Sequence, residues 1–356
     1  MLYHILLTDQ CNLSCSYCGG FSIDDPAKAE VSYSIEELSN FLSQDKEADV
    51  AFYGGEPLLR IPLLMDMMDA LPARHFIIQT NATHLHELPT EYLRRLHTLL
   101  ISVDGREKTT DACRGKGIYK TAICNARNAV ERGFGGDLVA RMAVGRQSDV
   151  YEDVKHLVDL ELFHHIHWQL DVIWGERWHL EEWVDNSYNP GITRLVDRWL
   201  ESMKHGRIWG IAPFQPVISD IISGRKSGLR CSAGDKSFAI TPRGEILTCP
   251  VCPEFEFAFL GKIDQSSPLD LPKKVSIGGS CIQCDIFYLC GGRCLFANKT
   301  MLWGEKGQDA VCGTVRHMVE ELKRIAPSVK GLLEAGVISW EELDYPRINN
   351  CCEIIP

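Results

Sequence analysis

Short apolar segments alternate with amphipathic segments along the first half of the chain. The apolar segments predict strands at Tyr3–Thr8, Asp49–Tyr53, His75–Thr80, Thr98–Val103, Leu138–Val144 and His167–Ile173. The amphipathic segments predict helices between them, at Ser34–Leu42, Ile61–Ala70, Thr90–Leu96, Tyr119–Arg132 and Val150–Leu160. Ser34 followed by Glu37 is a capping box, which supports the start of the first helix.

Strand and helix alternate about six times, which is typical of a parallel sheet with helices on its outside. Crossovers between parallel strands are right-handed, so the sheet is expected to curl into a full or partial barrel. The apolar run at Leu99–Val103 fits a strand that is buried on both faces. The predicted fold class is α/β, with a partial barrel of the (β/α)6 type.

The second half of the chain has a different pattern. Residues 176–223 are rich in tryptophan and helix formers and predict a helical bridge after a first domain of residues 1–175. Residues 224–313 are rich in glycine and cysteine, with a hairpin predicted to turn at Pro242–Gly244. A helix over Thr314–Ile325, ended by Pro327, is expected in a last segment of residues 314–356.

Composition and charge exclude several classes of protein. The 356 residues are 45% hydrophobic and 24% charged, which is typical of globular proteins and excludes disorder and fibrous repeats. No apolar run approaches the ~20 residues of a membrane-spanning helix. The N-terminus lacks the basic region of a signal peptide, so a cytoplasmic protein is expected. With 37 basic against 48 acidic residues and no basic stripe, nucleic acid is not an expected partner.

Fifteen cysteines are the unusual feature of the composition. Disulfides are not expected in a large chain without a secretion signal, because the cytosol keeps thiols reduced. Most of the cysteines fall into three groups, at residues 11–18, 231–252 and 281–312. This spacing argues against scattered core cysteines, which behave as small apolar residues.

The first group, Cys11-x3-Cys15-x2-Cys18, directly follows the first predicted strand. Such a run of closely spaced thiolates is typical of a metal or iron–sulfur site. A structural zinc site is an alternative, although zinc usually takes four ligands from paired C-x2-C knuckles. A [4Fe–4S] cluster held by only these cysteines would leave one iron open for a substrate or a cofactor.

This loop resembles the signature of the radical S-adenosylmethionine (SAM) superfamily, in which an aromatic residue, here Tyr17, precedes the third cysteine. A second motif, Gly54-Gly55-Glu56-Pro57, ends the second predicted strand and matches the GGEP motif of the family. The resemblance implies that this motif receives the methionine amino group of SAM. Glycines let backbone carbonyls approach an ammonium group closely, and Glu56 adds negative charge.

Weaker family elements follow along the chain. The segment Thr80-Asn81-Ala82-Thr83 resembles a T-N-G-T motif from which Ala82 departs, and Asn81 is equally well explained as a strand-end cap. Ser102 and Asp104 resemble the S-x-D-G segment near the SAM ribose.

Two more elements complete this part of the resemblance. Arg114–Tyr119 resembles the R-G-x-G segment that opens a helix, and Arg141 lies where relatives contact the SAM carboxylate. These weaker elements all lie at or just beyond the ends of predicted strands, where barrel enzymes build their active sites.

The other two groups match the seven-cysteine signature of the SPASM extension of radical SAM enzymes. The pattern is C-x12-G-x4-C, then C-x2-C-x5-C-x3-C, then a last cysteine. In the order of the chain, its members are Cys231, Cys249, Cys281, Cys284, Cys290, Cys294 and Cys312. The resemblance implies a C-terminal domain with two auxiliary [4Fe–4S] clusters, and therefore three clusters in all.

By motif position, the first auxiliary cluster takes Cys231, Cys249 and Cys294, and the other four cysteines hold the second. Cys252 is expected to complete the first cluster; the alternative is an open iron that binds substrate. A zinc site over residues 281–294 is a further alternative, because zinc ribbons also use C-x2-C. The remaining cysteines fit no cluster spacing; they are Cys113, Cys124, Cys351 and Cys352.

The resemblance implies an enzyme that reductively cleaves SAM to a 5′-deoxyadenosyl radical, which abstracts a hydrogen atom from a peptide or protein side chain. Auxiliary clusters suit an oxidative modification, such as a thioether or carbon–carbon crosslink, and epimerisation is a further possibility. Within the family, the chain most resembles a compact, archaeal-type group of peptide-modifying enzymes. Alternatives are a sulfatase-maturase-like enzyme, a small-molecule dehydrogenase and, more remotely, an iron–sulfur electron carrier.

The expected partners are a peptide or protein substrate and an electron donor such as ferredoxin or flavodoxin. Because the chain begins at its first strand, recognition of a leader peptide would need a separate protein or another surface. Asp171 and Tyr53 are candidate proton or electron handlers, and each is equally well explained as a core residue.

Overall fold

The protein is described by a computed structural model that covers residues 1–18, 30–171, 178–252, 255–345 and 355–356. These residues form two compact units. The first unit comprises residues 1–102, 114–139 and 232–276, and the second comprises residues 103–113, 140–231 and 277–356. The domain boundaries at residues 175, 223 and 313 stay a prediction, and the first of them lies outside the described residues.

Within the described residues, the strands form one open sheet in the order β6-β5-β4-β3-β2-β1-β7-β8-β9. They are β1 (Leu2–Leu6), β2 (Asp49–Tyr53), β3 (Phe76–Thr80), β4 (Leu96–Ser102), β5 (Asp137–Val144), β6 (His165–Leu170), β7 (Ser237–Ile240), β8 (Glu245–Leu247) and β9 (Phe259–Lys262). Neighbours from β4 through β1 to β7 pair in parallel. Because β1 to β6 follow one another in chain order, the predicted α/β fold of the partial (β/α)6 type is confirmed.

Thirteen α-helices accompany these strands in the described part of the chain. They are α1 (Ile35–Leu42), α2 (Ile61–Ala70), α3 (Thr90–Leu93), α4 (Glu107–Arg114), α5 (Ile118–Glu131), α6 (Val150–Asp159), α7 (Leu180–Trp183), α8 (Asn189–Lys204), α9 (Gln215–Ser223), α10 (Phe287–Cys290), α11 (Leu295–Thr300), α12 (Gly304–Glu334) and α13 (Trp340–Leu343).

The predicted strands and helices of the first half are confirmed, with small shifts at their ends; residues 172–173 of the last predicted strand lie outside the described residues. The capping box is present, because Glu37 N donates to Ser34 Oγ at 3.1 Å and Ser34 N donates to Glu37 Oε2 at 2.7 Å. The hairpin is present too. β7 and β8 pair antiparallel, and Gly244 in the turn has φ +73°.

Helix α12 differs from the prediction. It continues through Pro327 to Glu334, so the expectation that Pro327 ends the helix is wrong. A proline costs a helix one hydrogen bond and adds a steric clash. Val319, Leu322 and Val329 are buried on this helix, which packs against α8 and α9. This burial of apolar side chains on both sides of the proline offsets its cost.

A buried ion pair joins segments of the second unit. Arg230 Nη2 donates to Asp220 Oδ2 at 2.8 Å, and both side chains are almost fully buried. Arg230 Nε also donates to Leu289 O at 2.6 Å. Arg230 precedes Cys231 and Leu289 precedes Cys290, so one guanidinium group positions the backbone beside two cysteines.

No helix among the described residues is both long enough and apolar enough to cross a membrane.

Candidate active site

The glycines after β2 lie against the segment that follows β1. Gly55 N donates to Thr8 O at 2.9 Å, and Gly54 has φ +132°, a conformation that favours glycine. A Cβ atom on Gly55 would lie 2.1 Å from Gln10 O, so only glycine fits there without displacing the backbone. Because Gln10 precedes Cys11, the two glycines set the position from which the cysteine loop starts.

Glu56 is buried and accepts three hydrogen bonds within the first unit. Its Oε1 accepts from Leu58 N at 3.0 Å and from Thr80 Oγ1 at 2.7 Å, and its Oε2 accepts from Asn81 N at 2.8 Å. Burial raises the pKa of Glu56, and these hydrogen bonds act in the opposite direction. The carboxylate therefore joins the GGEP motif to the end of β3. Since a carboxylate has about four acceptor positions, one further donor can still be bound.

Asn81 connects the end of β3 to the cysteine loop. Its Nδ2 donates to Asn12 Oδ1 at 2.9 Å and lies 3.9 Å from Cys11 Sγ, and its Oδ1 accepts from Thr83 N at 3.0 Å. These contacts favour a role in holding the loop. Ala82, the departure from T-N-G-T, has φ +64°, which explains why a glycine suits that position.

The cysteine loop presents its thiols toward solvent. Cys11 and Cys18 are exposed and Cys15 is half-buried. Backbone N–H groups shape the loop, because Cys18 N donates to Cys15 O at 3.0 Å and Leu13 N donates to Cys11 Sγ at 3.4 Å. Partial burial raises the pKa of Cys11, so cluster assembly must displace its proton. Three thiols on one exposed loop fit a [4Fe–4S] cluster with one open iron.

Tyr17, the aromatic residue of the loop, lies under the guanidinium group of Arg114 at 5.4 Å from the ring centre. This cation–π contact gives a physical role to the arginine of the R-G-x-G segment, because Arg114 contacts the cysteine loop through Tyr17. Gly117 of the same segment has φ +84° and begins α5, as the motif predicts.

In the second unit, Asp104, Arg141 and Asp171 lie at or near the carboxyl ends of strands. Asp104 is buried, and its Oδ1 accepts from Ala143 N at 2.8 Å. Arg141 is 5% exposed, and its Nε is buried without a hydrogen-bond partner among the described residues. A buried N–H group without a partner is rare, and an anionic ligand is one kind of group that would satisfy it. Arg141 thus fits the predicted contact with the SAM carboxylate.

Asp171 follows β6 in this unit. Burial and the nearby charge of Asp104 raise the pKa of Asp171 to about 6. A carboxyl group that titrates near neutral pH is a candidate for proton transfer, and structural carboxyl groups show such shifts as well. The alternatives left by the sequence for Asp171 therefore stay open.

The glycine of the S-x-D-G segment is explained by close packing. Gly105 has φ +108°, and a Cβ atom there would lie 2.3 Å from Asp153 Cβ. Asp153 is buried, and its Oδ1 accepts from Arg106 Nε at 2.7 Å and from Thr109 Oγ1 at 2.9 Å. Ser102, the first residue of the segment, is buried at the end of β4 in the first unit.

Cys281, Cys284, Cys290 and Cys312, called here the second cysteine set, lie together in the second unit. The thiol of Cys312 interacts electrostatically with those of Cys281 and Cys284, and Cys290 interacts with Cys312. Burial raises the pKa of Cys290 to about 11. No three His, Cys, Asp or Glu side chains in the described ranges converge as ligands of a single metal ion would. The four cysteines of a [4Fe–4S] cluster each bind a different iron, so their sulfurs lie farther apart than the ligands of a single metal ion.

The cysteines assigned to the first auxiliary cluster are divided between the units. Cys249 and Cys252 belong to the first unit, and Cys231 and Cys294 belong to the second. Cys252 is buried and caps a tight turn, since its N–H donates to Cys249 O at 3.4 Å and its Sγ donates to the same oxygen at 3.3 Å.

The other cysteines differ in their environments. Cys113 is buried and Cys124 is exposed. Cys351 and Cys352 lie outside the described residues.

Comparison with known proteins agrees with this site. Residues 5–160 match the family model of the radical SAM superfamily. The solved structure of anSMEcpe with bound AdoMet and the Cp18Cys peptide has a TM-score of 0.70 and 18% identity, covering 92% of this chain and 99% of that one. Streptococcus suis SuiB bound to its precursor peptide SuiA has a TM-score of 0.56 and 17% identity, covering 82% and 71% of the two chains.

A curated relative matches a shorter segment. The uncharacterized protein MJ0907 of Methanocaldococcus jannaschii is 30% identical over 113 residues, or 29% of this chain. The aligned part spans 39% of the length of that relative.

Residues 5–160 are therefore similar to the radical SAM superfamily, as the cysteine loop and the GGEP motif predict. The structural matches show that the chain shares the fold of these two proteins. A [4Fe–4S] cluster and SAM are the cofactors of this superfamily.

Several residues that shape the site were missed by the sequence analysis. Asp153, Asn298 and Arg316 carry no motif, and their partners are distant in sequence. Gln308 donates to Cys312 Sγ at 3.6 Å and lies four residues before it on α12. Gln308 and Arg316 lie four residues before and after Cys312 in the sequence, which is the spacing of neighbours on one face of a helix. This spacing is the one signal that could have identified them.

Proposed function

We propose that this chain is a radical SAM enzyme that oxidatively modifies a side chain of a peptide or protein and carries two auxiliary [4Fe–4S] clusters. The observation that carries the proposal is the second cysteine set. Its four thiols lie within one compact unit, interact with one another, and receive N–H donors from Asn298, Gln308 and Arg316. Hydrogen-bond donors to cysteine sulfurs are typical of the surroundings of an iron–sulfur cluster.

Each residue of the site has a proposed role in binding the cluster or SAM. Cys11, Cys15 and Cys18 hold the SAM-binding cluster, and Gly54–Pro57 bind the methionine amino group. Arg141 binds the carboxylate of SAM, while Ser102 and Asp104 lie near its ribose. Asn81 and Tyr17 position the cysteine loop. When bound, the cluster and SAM together supply the radical that abstracts hydrogen.

The peptide substrate is inferred from two lines of support. Two structures that share the fold were determined with peptides bound, namely Cp18Cys in anSMEcpe and SuiA in SuiB. The cysteine-rich C-terminal region also suits a reaction that ends in oxidation, because a substrate radical must pass on an electron. An electron donor such as ferredoxin or flavodoxin and a separate protein that binds a leader peptide complete the proposed partners. We place the enzyme in the cytoplasm, where thiols stay reduced.

The substrate class can be tested with peptides encoded beside the gene. The reconstituted enzyme is expected to release 5′-deoxyadenosine faster in the presence of the correct peptide, and deuterium from that peptide should enter 5′-deoxyadenosine. Mass spectrometry should then show the loss of two hydrogen atoms for a crosslink. An aldehyde that reacts with a hydrazide would favour the sulfatase-maturase-like alternative, and deuterium transfer from a small molecule alone would contradict the proposal.

Cys252 is proposed as the fourth ligand of the first auxiliary cluster. Replacing Cys252 by alanine should leave SAM cleavage intact, lower the iron content by up to about four atoms per chain, and slow product formation. Cys124→Ala is the matched control, because Cys124 is exposed and fits no cluster spacing. Unchanged iron content, cluster spectrum and turnover in Cys252→Ala would instead favour an open iron that binds substrate.

A further inference from the structure

The nitrogen donors around the second cysteine set point to a function beyond holding the cluster. Asn298 Nδ2 donates to Cys281 Sγ at 3.5 Å. This amide is oriented by the backbone of Gly278, which donates to Asn298 Oδ1 at 3.0 Å and accepts from Asn298 Nδ2 at 3.1 Å. Gln308 donates to Cys312 Sγ. Two of the four sulfurs therefore receive a neutral side-chain N–H group in a fixed position.

Two arginines add positive charge to this shell. Arg316 Nη2 lies 3.6 Å from Cys284 Sγ. Arg293 is 4% exposed, and its backbone N–H group donates to Cys290 O at 3.3 Å. The sulfurs of Cys281, Cys284 and Cys312 thus each have a side-chain donor, and Cys290 has the buried arginine beside its backbone.

The charge of Arg316 is partly balanced by Asp285. Arg316 Nη1 and Nη2 donate to Asp285 Oδ2 and Oδ1 at 3.0 and 2.7 Å, a bidentate pair. The pair is exposed, with Arg316 42% and Asp285 73% accessible, so it contributes little to stability. Asp285 therefore places a negative charge beside the guanidinium group of Arg316.

A cluster with four thiolate ligands carries a net negative charge that increases when an electron is added. Positive charge and N–H donors at the sulfurs stabilise the reduced form more than the oxidised form, which raises the reduction potential. Carboxylates near the cluster act in the opposite direction.

We propose that Arg316, with Arg293, Asn298 and Gln308, raises the reduction potential of the second auxiliary cluster, and that Asp285 moderates the effect of Arg316. Arg316 acts through the cluster, so it is a positioning and tuning residue rather than a catalytic one. A higher potential would suit this cluster to accept the electron that the substrate radical loses when it is oxidised. The inference rests on the proposed presence of a [4Fe–4S] cluster at this set.

Opposite shifts in two variants provide the test. In EPR-monitored redox titrations of the reconstituted full chain, Arg316→Gln should lower the midpoint potential of one cluster. We expect at least a tenfold change in the ratio of reduced to oxidised cluster at fixed potential, which corresponds to 59 mV for one electron. Asp285→Asn should raise the same midpoint, because it removes the balancing charge.

Arg324→Gln is the matched control. Arg324 lies on the same helix and is similarly exposed, and it pairs with Asp197 and Glu321 away from the cysteines. Its midpoint potentials should equal those of the wild type. A purely structural role of Arg316 would not produce opposite shifts in Arg316→Gln and Asp285→Asn.

Iron analysis separates failure of this inference from failure of the proposed function. About twelve irons per chain with unmoved midpoints in both variants would overturn the inference alone. About eight irons, or zinc in place of iron, would reject the second auxiliary cluster and the inference with it. If Arg316→Gln loses iron, the Asp285→Asn titration decides, and a midpoint that is unchanged or lower would overturn the inference.

Discussion

Replacing Cys11, Cys15 and Cys18 together by alanine is expected to remove about four of about twelve irons per chain and to abolish SAM cleavage. The three thiols are the proposed ligands of the cluster that binds SAM, and no other cysteine lies on their loop. The remaining eight irons would belong to the auxiliary clusters. Iron analysis and chromatography of 5′-deoxyadenosine after reduction would measure both effects.

Because only part of the iron should be lost, the experiment tests both the SAM-binding cluster and the independent assembly of the auxiliary clusters. Cys124→Ala should retain full iron content and cleavage, since its thiol is exposed on α5 and unrelated to the loop. Cleavage that survives the triple change would show that the SAM-binding cluster is held elsewhere. Loss of all iron would show that the auxiliary clusters do not assemble independently.

Gly55→Ala should have the next largest effect, because the added methyl group has no space. Its Cβ would lie 2.1 Å from Gln10 O and 2.9 Å from Asp9 O, both of which are backbone atoms. Backbone must therefore move, at an expected cost of about 3 kcal/mol in the free energy of unfolding. The displaced segment leads directly into Cys11, so we also expect weaker SAM binding and less iron in the SAM-binding cluster.

Gly135→Ala provides the matched control in the same unit. A Cβ atom at Gly135 would have no heavy atom within 4 Å, so the substitution should leave stability and iron content nearly unchanged. Thermal unfolding, iron analysis and equilibrium binding of SAM would distinguish the two variants. If Gly55→Ala matched Gly135→Ala in all three measurements, the proposed role of the close approach would be wrong.

The sequence predicts those parts of the molecule that depend on local patterns. Strands such as Asp49–Tyr53 and the capping box at Ser34 need only neighbouring residues, and both are present. Motif spacing likewise indicates the cysteine loop and the GGEP motif, and residues 5–160 match the model of the family that these motifs resemble. The ligand role of each residue in these motifs stays a prediction.

Features that depend on tertiary packing were beyond the sequence analysis. From the local sequence, Pro327 predicts the end of a helix. The helix continues past it because α12 is buried against α8 and α9, a contact that the local sequence does not show. Helix α4 is so polar that its periodicity gives little signal, and it was not predicted. Asn298 reaches Cys281 across 17 positions of the sequence, a contact that only the fold creates.

The ion pair between Arg230 and Asp220 bears on how the iron sites are assembled. Its guanidinium group connects the backbone next to Cys231 with that next to Cys290, and it does so through protein atoms alone. The segments that carry Cys231 and Cys290 are thus positioned by protein contacts that do not need bound iron. Metal-free protein should therefore take up iron and sulfide without being unfolded in denaturant, once a thiol reductant has returned its cysteines to the reduced state under anaerobic conditions.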